Sequence, residues 1–436
     1  MGDHLASIEL WGGVECTINR VGQRYFDQFA ASGHAARASD LDRFHALGFR
    51  TLRYPVSWER VCAAGEPCFE WVDRRLARFQ ELAMTPIVGL LHHGSGPRGT
   101  SLVDPEFPEK FSVFAASVAE RYPWVEAYTP VNEPLTTARF SCLYGHWFPH
   151  ERNDRAFVRA LLNQCKATVL AMREIRLRNP AARLVQTEDL GHTRATRGLE
   201  YQAEFENERR FLSFDLLMGR VGKEHALHEY LVDRGATLRE LEWFQEHATA
   251  PDSIGVNYYI TSERFLDLRT ELYPETVVGG NGRHRYADVE AVRVAAGGLL
   301  GPEELITSVW DRYRVPVAVT EAHLGCTADE RIRWIDYVLR AAKRAKRRGV
   351  DLSAVCIWAL LGSFGWNRLL TGGLDSYEEG VFSVRGGRIS ETDVTDFVAG
   401  LLRGGKPDHP ALCRPGWWLR DDRFVHPRYP AVTAAA

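Results

Sequence analysis

Short apolar, β-branched runs alternate along the chain with longer stretches whose apolar positions recur at helical spacing, the sequence pattern of a parallel sheet covered by helices. The strand candidates are Ile8–Gly12, Phe49–Tyr54, Pro86–His92, Val125–Val131, Ala182–Thr187, Ser253–Tyr259, Val317–Thr320 and Val355–Leu360. Helix-like segments between them include Val72–Ala83, Pro108–Arg121, Arg155–Arg178, Tyr201–Val221, Glu303–Tyr313 and Asp329–Arg348. Eight such alternations predict an α/β fold whose strands close into a (β/α)₈ TIM barrel. Residues 262–301, with the Gly-rich stretch 278–282, and residues 369–379 interrupt the pattern and read as long loops, candidates for substrate-shaping walls. From Gly404 onward turn formers and aromatic residues dominate, so the expected division is a single barrel over 1–403 and an irregular tail, loosely packed, over 404–436.

Composition narrows the partners. With 45% hydrophobic residues and 25% charged, the 436-residue chain can bury a sizeable core. A net charge of -3 provides no basic field for nucleic acid or an acidic membrane, and a neutral small molecule fits better. The basic run Lys343–Arg348 reads as the solvated face of a helix. No apolar run approaches the roughly 20 residues that span a bilayer, and the start MGDHLASIEL lacks a signal-peptide layout, so a cytoplasmic protein is expected. The eight cysteines, at 16, 62, 68, 142, 165, 326, 356 and 413, show no paired CxxC spacing. Buried thiols are expected, with no cofactor and no metal.

Polar chemistry gathers where the apolar strands end, and a barrel presents those ends to its active site. The candidates are Arg53, His92, Asn132–Glu133, Asn257–Tyr259 and Glu321, with Trp358 on the eighth strand. Glu133 and Glu321 each follow an apolar strand, in VEAYTPVNEP and RVPVAVTEAH. Cleaving a glycosidic bond requires a proton on the leaving oxygen and a carboxylate at the anomeric carbon. In retaining enzymes the two acids stand about 5–5.5 Å apart. One must be held protonated and the other ionised, and Arg53 is the candidate cation for the latter. His92 and His93 invite a metal reading, but no Cys or further His stands nearby at ligand spacing.

These residues resemble family 1 of the glycoside hydrolases, over roughly residues 8–400. Thr129-Pro130-Val131-Asn132-Glu133-Pro134 is similar to that family's acid/base motif and Val319-Thr320-Glu321 to its nucleophile motif. Leu52–Trp58, Gly89–His92, Ile254–Tyr259 and Ile357–Leu361 with Phe364–Trp366 follow in the family's order. The resemblance implies Glu133 as general acid/base and Glu321 as nucleophile. It also implies Asn132 on the sugar 2-hydroxyl, His92 on a glycone hydroxyl, and Trp358 and Trp366 in the substrate site. Arg53, Asn257 and Tyr259 would support the nucleophile. Asn19 stands where the family has a glutamine that grips the glycone, and is expected in the substrate site. Gly365 stands where the family has a glutamate, removing a carboxylate and leaving room. With Arg368 three residues on, a bulkier, modified or acidic glycone is an alternative to a plain hexose. The Lys-x-Tyr pattern of phospho-glycoside members is absent around Tyr377–Gly380.

The resulting expectation is a β-glycosidase-like hydrolase acting on a small-molecule glycoside or oligosaccharide through a covalent glycosyl-enzyme. Transglycosylation with the same glutamates and a non-catalytic carbohydrate-binding barrel are the alternatives.

Overall fold

The computed structural model describes residues 8–429; the outer ends of the two expected divisions, 1–7 and 430–436, lie outside them. Eight parallel strands close into a barrel: β1 (Glu9–Gly13), β2 (Thr51–Pro55), β3 (Thr85–His92), β4 (Ala127–Asn132), β5 (Arg183–Asp189), β6 (Ser253–Asn257), β7 (Val317–Ala322) and β8 (Leu352–Ile357). Closure is made by β1, whose Glu9–Gly12 pairs with Ala354–Ile357 of β8 while Gly12–Gly13 pairs with Leu52–Arg53 of β2. Each strand candidate corresponds to one barrel strand, displaced by a few residues at its ends. The near-continuous apolar runs have a physical cause, because helices cover the outside and side chains fill the inside. Every residue of β4 and β7 is buried.

Two local features shape the site end of the barrel. The register of β7 against β6 shifts between Val319 and Glu321, an irregularity that re-aims the strand end. Under it, Gly255 is required by close approach: a Cβ there would fall 2.5 Å from Thr320 Oγ1 and 2.6 Å from Thr187 Cγ2.

Five of the six helix-like segments form single helices, for example Asp154–Arg178 and Ala328–Arg347. The stretch Tyr201–Val221 instead splits into Glu200–Arg209 and Leu212–Leu217. Between them the Phe211 N–H turns back three residues to Glu208 (3.1 Å) and the Arg210 guanidinium donates to Thr193 Oγ1 (2.6 Å). Within the basic run, Arg344 and Arg348 pair with Glu303 and Glu304 of the neighbouring helix, so this face is not simply solvated. No described helix is long and apolar enough to cross a membrane.

The presumed loops and tail are more ordered than their composition suggests. Residues 262–301 contribute Arg264–Asp267, Val278–Gly280 and Arg285–Glu290 to a four-stranded sheet completed by Thr193–Ala195. This sheet has its own small core, including Phe265, Val289 and Ala291. In residues 369–379, Tyr377–Glu378 pairs with Ser363–Phe364. The segment after Gly404 is docked rather than loose. Trp418 is buried edge-on against Trp334 at 5.0 Å, and Arg423 donates to the Val292 and Ala295 carbonyls at 2.7 and 3.0 Å. Apolar burial of two tryptophans and two satisfied carbonyls hold the tail across helix 328–347 and the small sheet.

Truncating Trp418 to alanine is expected to cost about 3–5 kcal/mol of stability. A Leu419→Ala control, at an exposed position, is expected to cost less than about 0.5 kcal/mol. Denaturant midpoints of the two variants check the difference.

Candidate active site

At the C-terminal mouth of the barrel, Glu133 and Glu321 line one cavity of about 650 Å³. Glu133 directly follows β4 and adopts a left-handed backbone (φ 47°, ψ 64°) before Pro134 opens a short helix over 134–138. That conformation costs a non-glycine residue roughly 1–2 kcal/mol and persists only where its surroundings over-determine it. Here Glu188, at the end of β5, accepts from the Leu135 and Thr136 amides (2.9 and 3.2 Å) and from the Ser213 hydroxyl (2.7 Å). The helix start is thereby pinned, and with it the direction of Glu133.

The two acids sit in opposite electrical settings. Glu321 accepts from Arg53 at 2.8 Å on one oxygen and from the Tyr259 hydroxyl at 2.5 Å on the other. The second Arg53 nitrogen donates to Asn132 Oδ1 (2.8 Å), which also takes the Thr187 hydroxyl (2.7 Å). Glu133 accepts from Asn257 Nδ2 at 2.5 Å, and its other oxygen lies 3.7 Å from His93 Nε2. Burial holds His93 down at about 3, so that contact is no ion pair. Burial raises both carboxyls, but Arg53 and Tyr259 pull Glu321 back whereas the charge on Glu321 adds to the rise of Glu133. These surroundings favour the proton of the pair on Glu133 over Glu321.

Most of the sequence-predicted residues converge here, with corrections. Asn257 attends Glu133, not Glu321: its carbonyl is occupied by the Thr320 hydroxyl (2.6 Å), which turns the amide toward β4. Asn19 is fully buried, does not line the cavity, and donates to the Leu370 carbonyl (3.3 Å), which ties it to the segment after β8. Gly365 does not leave room: with φ 74°, its Cβ would fall 2.4 Å from the Gly373 carbonyl, so a tight turn fills the space. Arg368 is exposed and not part of the lining. His92 stacks on Trp358 (5.6 Å, 6°) with its Nε2 3.3 Å from the Asn132 amide, and Trp366 lies against His93 at 5.7 Å. Burial keeps His92 neutral.

Sequence reasoning missed Glu15, Glu188 and Asp189. Glu15, Asp189 and Trp417 line the cavity, whereas Glu188 acts behind it. The strand-end rule would have found the acids, since Glu15 follows β1 and the Glu188–Asp189 pair ends β5. Trp417, a weaker aromatic candidate in the sequence, reaches the cavity because the tail docks.

Comparison with known proteins identifies the family and the fold. The profile of Glycosyl hydrolase family 1 matches residues 17–372. Beta-glucosidase A of Thermotoga maritima is 21% identical over 398 residues, covering 83% of this chain and 84% of its own. A rice (Oryza sativa subsp. japonica) protein named "Probable inactive beta-glucosidase 14" is 23% identical over 382 residues, 75% of this chain and 73% of its own. A solved structure of Thermotoga maritima beta-glucosidase with galacto-hydroximolactam superposes with a TM-score of 0.72 at 18% identity, covering 86% of this chain and 88% of that one.

Glu133→Gln is expected to stabilise the fold, increasingly so as pH rises. Below the ordinary value of 4.5 both folded and unfolded states hold the Glu133 proton and the substitution changes little. Above it the unfolded chain releases the proton while the folded one keeps it, costing the wild type about 1.4 kcal/mol per pH unit until the raised folded value is passed. Unfolding temperatures of both proteins across pH 4–8 check the sign; a gap that shrinks with rising pH refutes it.

Proposed function

Because the chain belongs to glycosyl hydrolase family 1, we propose that it hydrolyses a β-linked O-glycoside with net retention through a covalent glycosyl-enzyme at Glu321. The observation that carries this reading is the electrical asymmetry of two buried carboxyls on one cavity, one paired with Arg53 and Tyr259 and the other with no cation. In the first step the ionised Glu321 attacks the anomeric carbon while Glu133 gives its proton to the leaving glycosidic oxygen. As the bond forms, negative charge leaves Glu321, and Arg53 relaxes its grip. Glu133, now a carboxylate, takes a proton from the incoming water, which displaces Glu321 and restores the starting state. Asn257 donates to Glu133 throughout, steadying its anionic form between the steps. Asn132, whose carbonyl is held by Arg53 and Thr187 and whose amide lies 3.3 Å from His92 Nε2, is assigned to the sugar 2-hydroxyl on the family resemblance of its motif. Trp358, backed by His92, presents a ring face to the sugar.

A second reading, sugar binding without turnover, is favoured by the relative named probably inactive. The presence of both acids in complementary settings weighs against it.

Activated 2-fluoro glycosides, followed by peptide mapping, are expected to label Glu321; a label on another residue overturns the assignment. Glu133→Gln is expected to lower kcat by about 10²–10⁴-fold on substrates with poor leaving groups. The loss should shrink for good leaving groups, which steady-state kinetics on an aryl glycoside series with graded leaving groups will measure.

A further inference from the structure

A third buried acid shares the cavity. Glu15 follows β1, is 6% exposed, and lines the same space as Glu133 and Glu321. One of its oxygens accepts from the Thr17 amide at 3.0 Å, the other from the Trp358 indole N–H at 3.3 Å. No ion pair among the described residues includes it, so its contacts are neutral and few for a carboxylate taken out of water. Burial, with the nearby charge of Glu321, holds its carboxyl up at about 7. A carboxylate so placed is costly unless further donors complete its shell.

The sugar is the natural source of those donors. Glu15 bonds the indole of Trp358, which stacks on His92, and β8, β1 and β3 bring these three residues to one side of the mouth. On that side neither of the positions expected to grip the glycone does so, since Asn19 is turned onto a backbone carbonyl and Gly365 is closed by a turn. The charge balance narrows the ligand further. The arginines lining the cavity, Arg139, Arg210, Arg264 and Arg293, all come from segments that follow β4, β5 or β6. The one cation beside Trp358 is Arg53, 4.9 Å from its ring, and both of its terminal nitrogens are engaged by Glu321 and Asn132, so it is not free to pair with an acidic sugar.

We propose that Glu15 is a specificity-determining residue of the glycone site, accepting hydrogen bonds from hydroxyls of a neutral sugar seated against Trp358 and disfavouring acidic glycones. This rests on the glycosidase reading above. A carboxylate acceptor forms strong, charge-assisted bonds to hydroxyl donors, and a uronate in the same place meets a like charge.

The test crosses the residue with the substrate. Aryl β-glycosides of neutral hexoses and pentoses and of glucuronic acid are assayed first, and the best neutral substrate is then compared with its 3-, 4- and 6-deoxy analogues. In the wild type, removing the hydroxyl that meets Glu15 is expected to lower kcat/KM by about 10–100-fold. In Glu15→Gln and Glu15→Ala the parent substrate falls by a similar factor, and the same deoxygenation then costs less than about 3-fold. A structural role would lower activity without changing the ranking of the analogues. Equal deoxygenation penalties in wild type and both variants, or a preference for the glucuronide, overturns the proposal. Calorimetry with the matching non-hydrolysable thioglycosides runs in parallel. If turnover is absent but the binding penalties still converge in the variants, hydrolysis falls and the role of Glu15 stands. If turnover persists with equal penalties, Glu15 alone falls, and if neither turnover nor binding is seen, both fall.

Discussion

Two carboxyls buried on one cavity cannot both be ionised at low cost, and the placement of Arg53 decides which of them is. Its guanidinium reaches Glu321 and Asn132 at once from β2, with the Trp358 ring 4.9 Å away. Because the arginine is itself buried, its charge is little screened and acts chiefly on the acid it touches. Glu133 has only neutral partners, Asn257 and an uncharged His93, so burial and the charge on Glu321 both favour its protonated form. The difference between the proposed proton donor and the proposed nucleophile thus comes from one cation bound to one of two otherwise similar side chains.

The barrel makes that arrangement possible. Arg53, Asn132, Asn257 and Glu321 stand on or beside the ends of four different strands, yet strand tilt and closure bring them to one mouth. Rigidity is added beneath them. The packing under Gly255 and the irregular register of β7 set the direction of the strand ends, and Glu188 locks the turn at Glu133 by filling the first amides of the following helix. The outer walls come from elsewhere: the small sheet beyond β6 supplies Arg264, the turn that follows it supplies Arg293, and the docked tail supplies Trp417, stacked beneath the Arg293 guanidinium at 4.0 Å. Scaffold and specificity surfaces are therefore built from separate parts of the chain, and the tail's contribution lies beyond the residues matched by the family profile.

At the sugar-facing end the chain departs from the pattern its motifs resemble. A turn occupies the place of one expected carboxylate, and the expected amide side chain serves as an internal strut. Arg368 lies at the surface, and Arg53, the cation beside Trp358, is already engaged by Glu321 and Asn132. The proposed role of Glu15 offers a single explanation for these departures, in which a carboxylate entering from β1 replaces one lost after β8.

The alternation of apolar runs and amphipathic stretches was enough, from sequence alone, to place all eight strands and two of the acids at their ends, Glu133 and Glu321, because burial on both faces of a parallel sheet imposes a pattern local enough to read. What followed from contacts between distant residues was not legible. Asn257 was assigned to the wrong acid because the bulge in β7 and the Thr320 hydroxyl decide which way its amide turns. The surroundings of Asn19 and Gly365 were not legible because the segment Gly365–Gly373 folds back onto both neighbourhoods. The tail looked loose because its anchors, Trp334 and the Val292 and Ala295 carbonyls, lie far away in the chain. Periodicity reports which face of an element is buried, so the sequence determined the barrel and the positions of Glu133 and Glu321; only tertiary packing decides which polar groups meet across that buried space, and hence which acid keeps the proton.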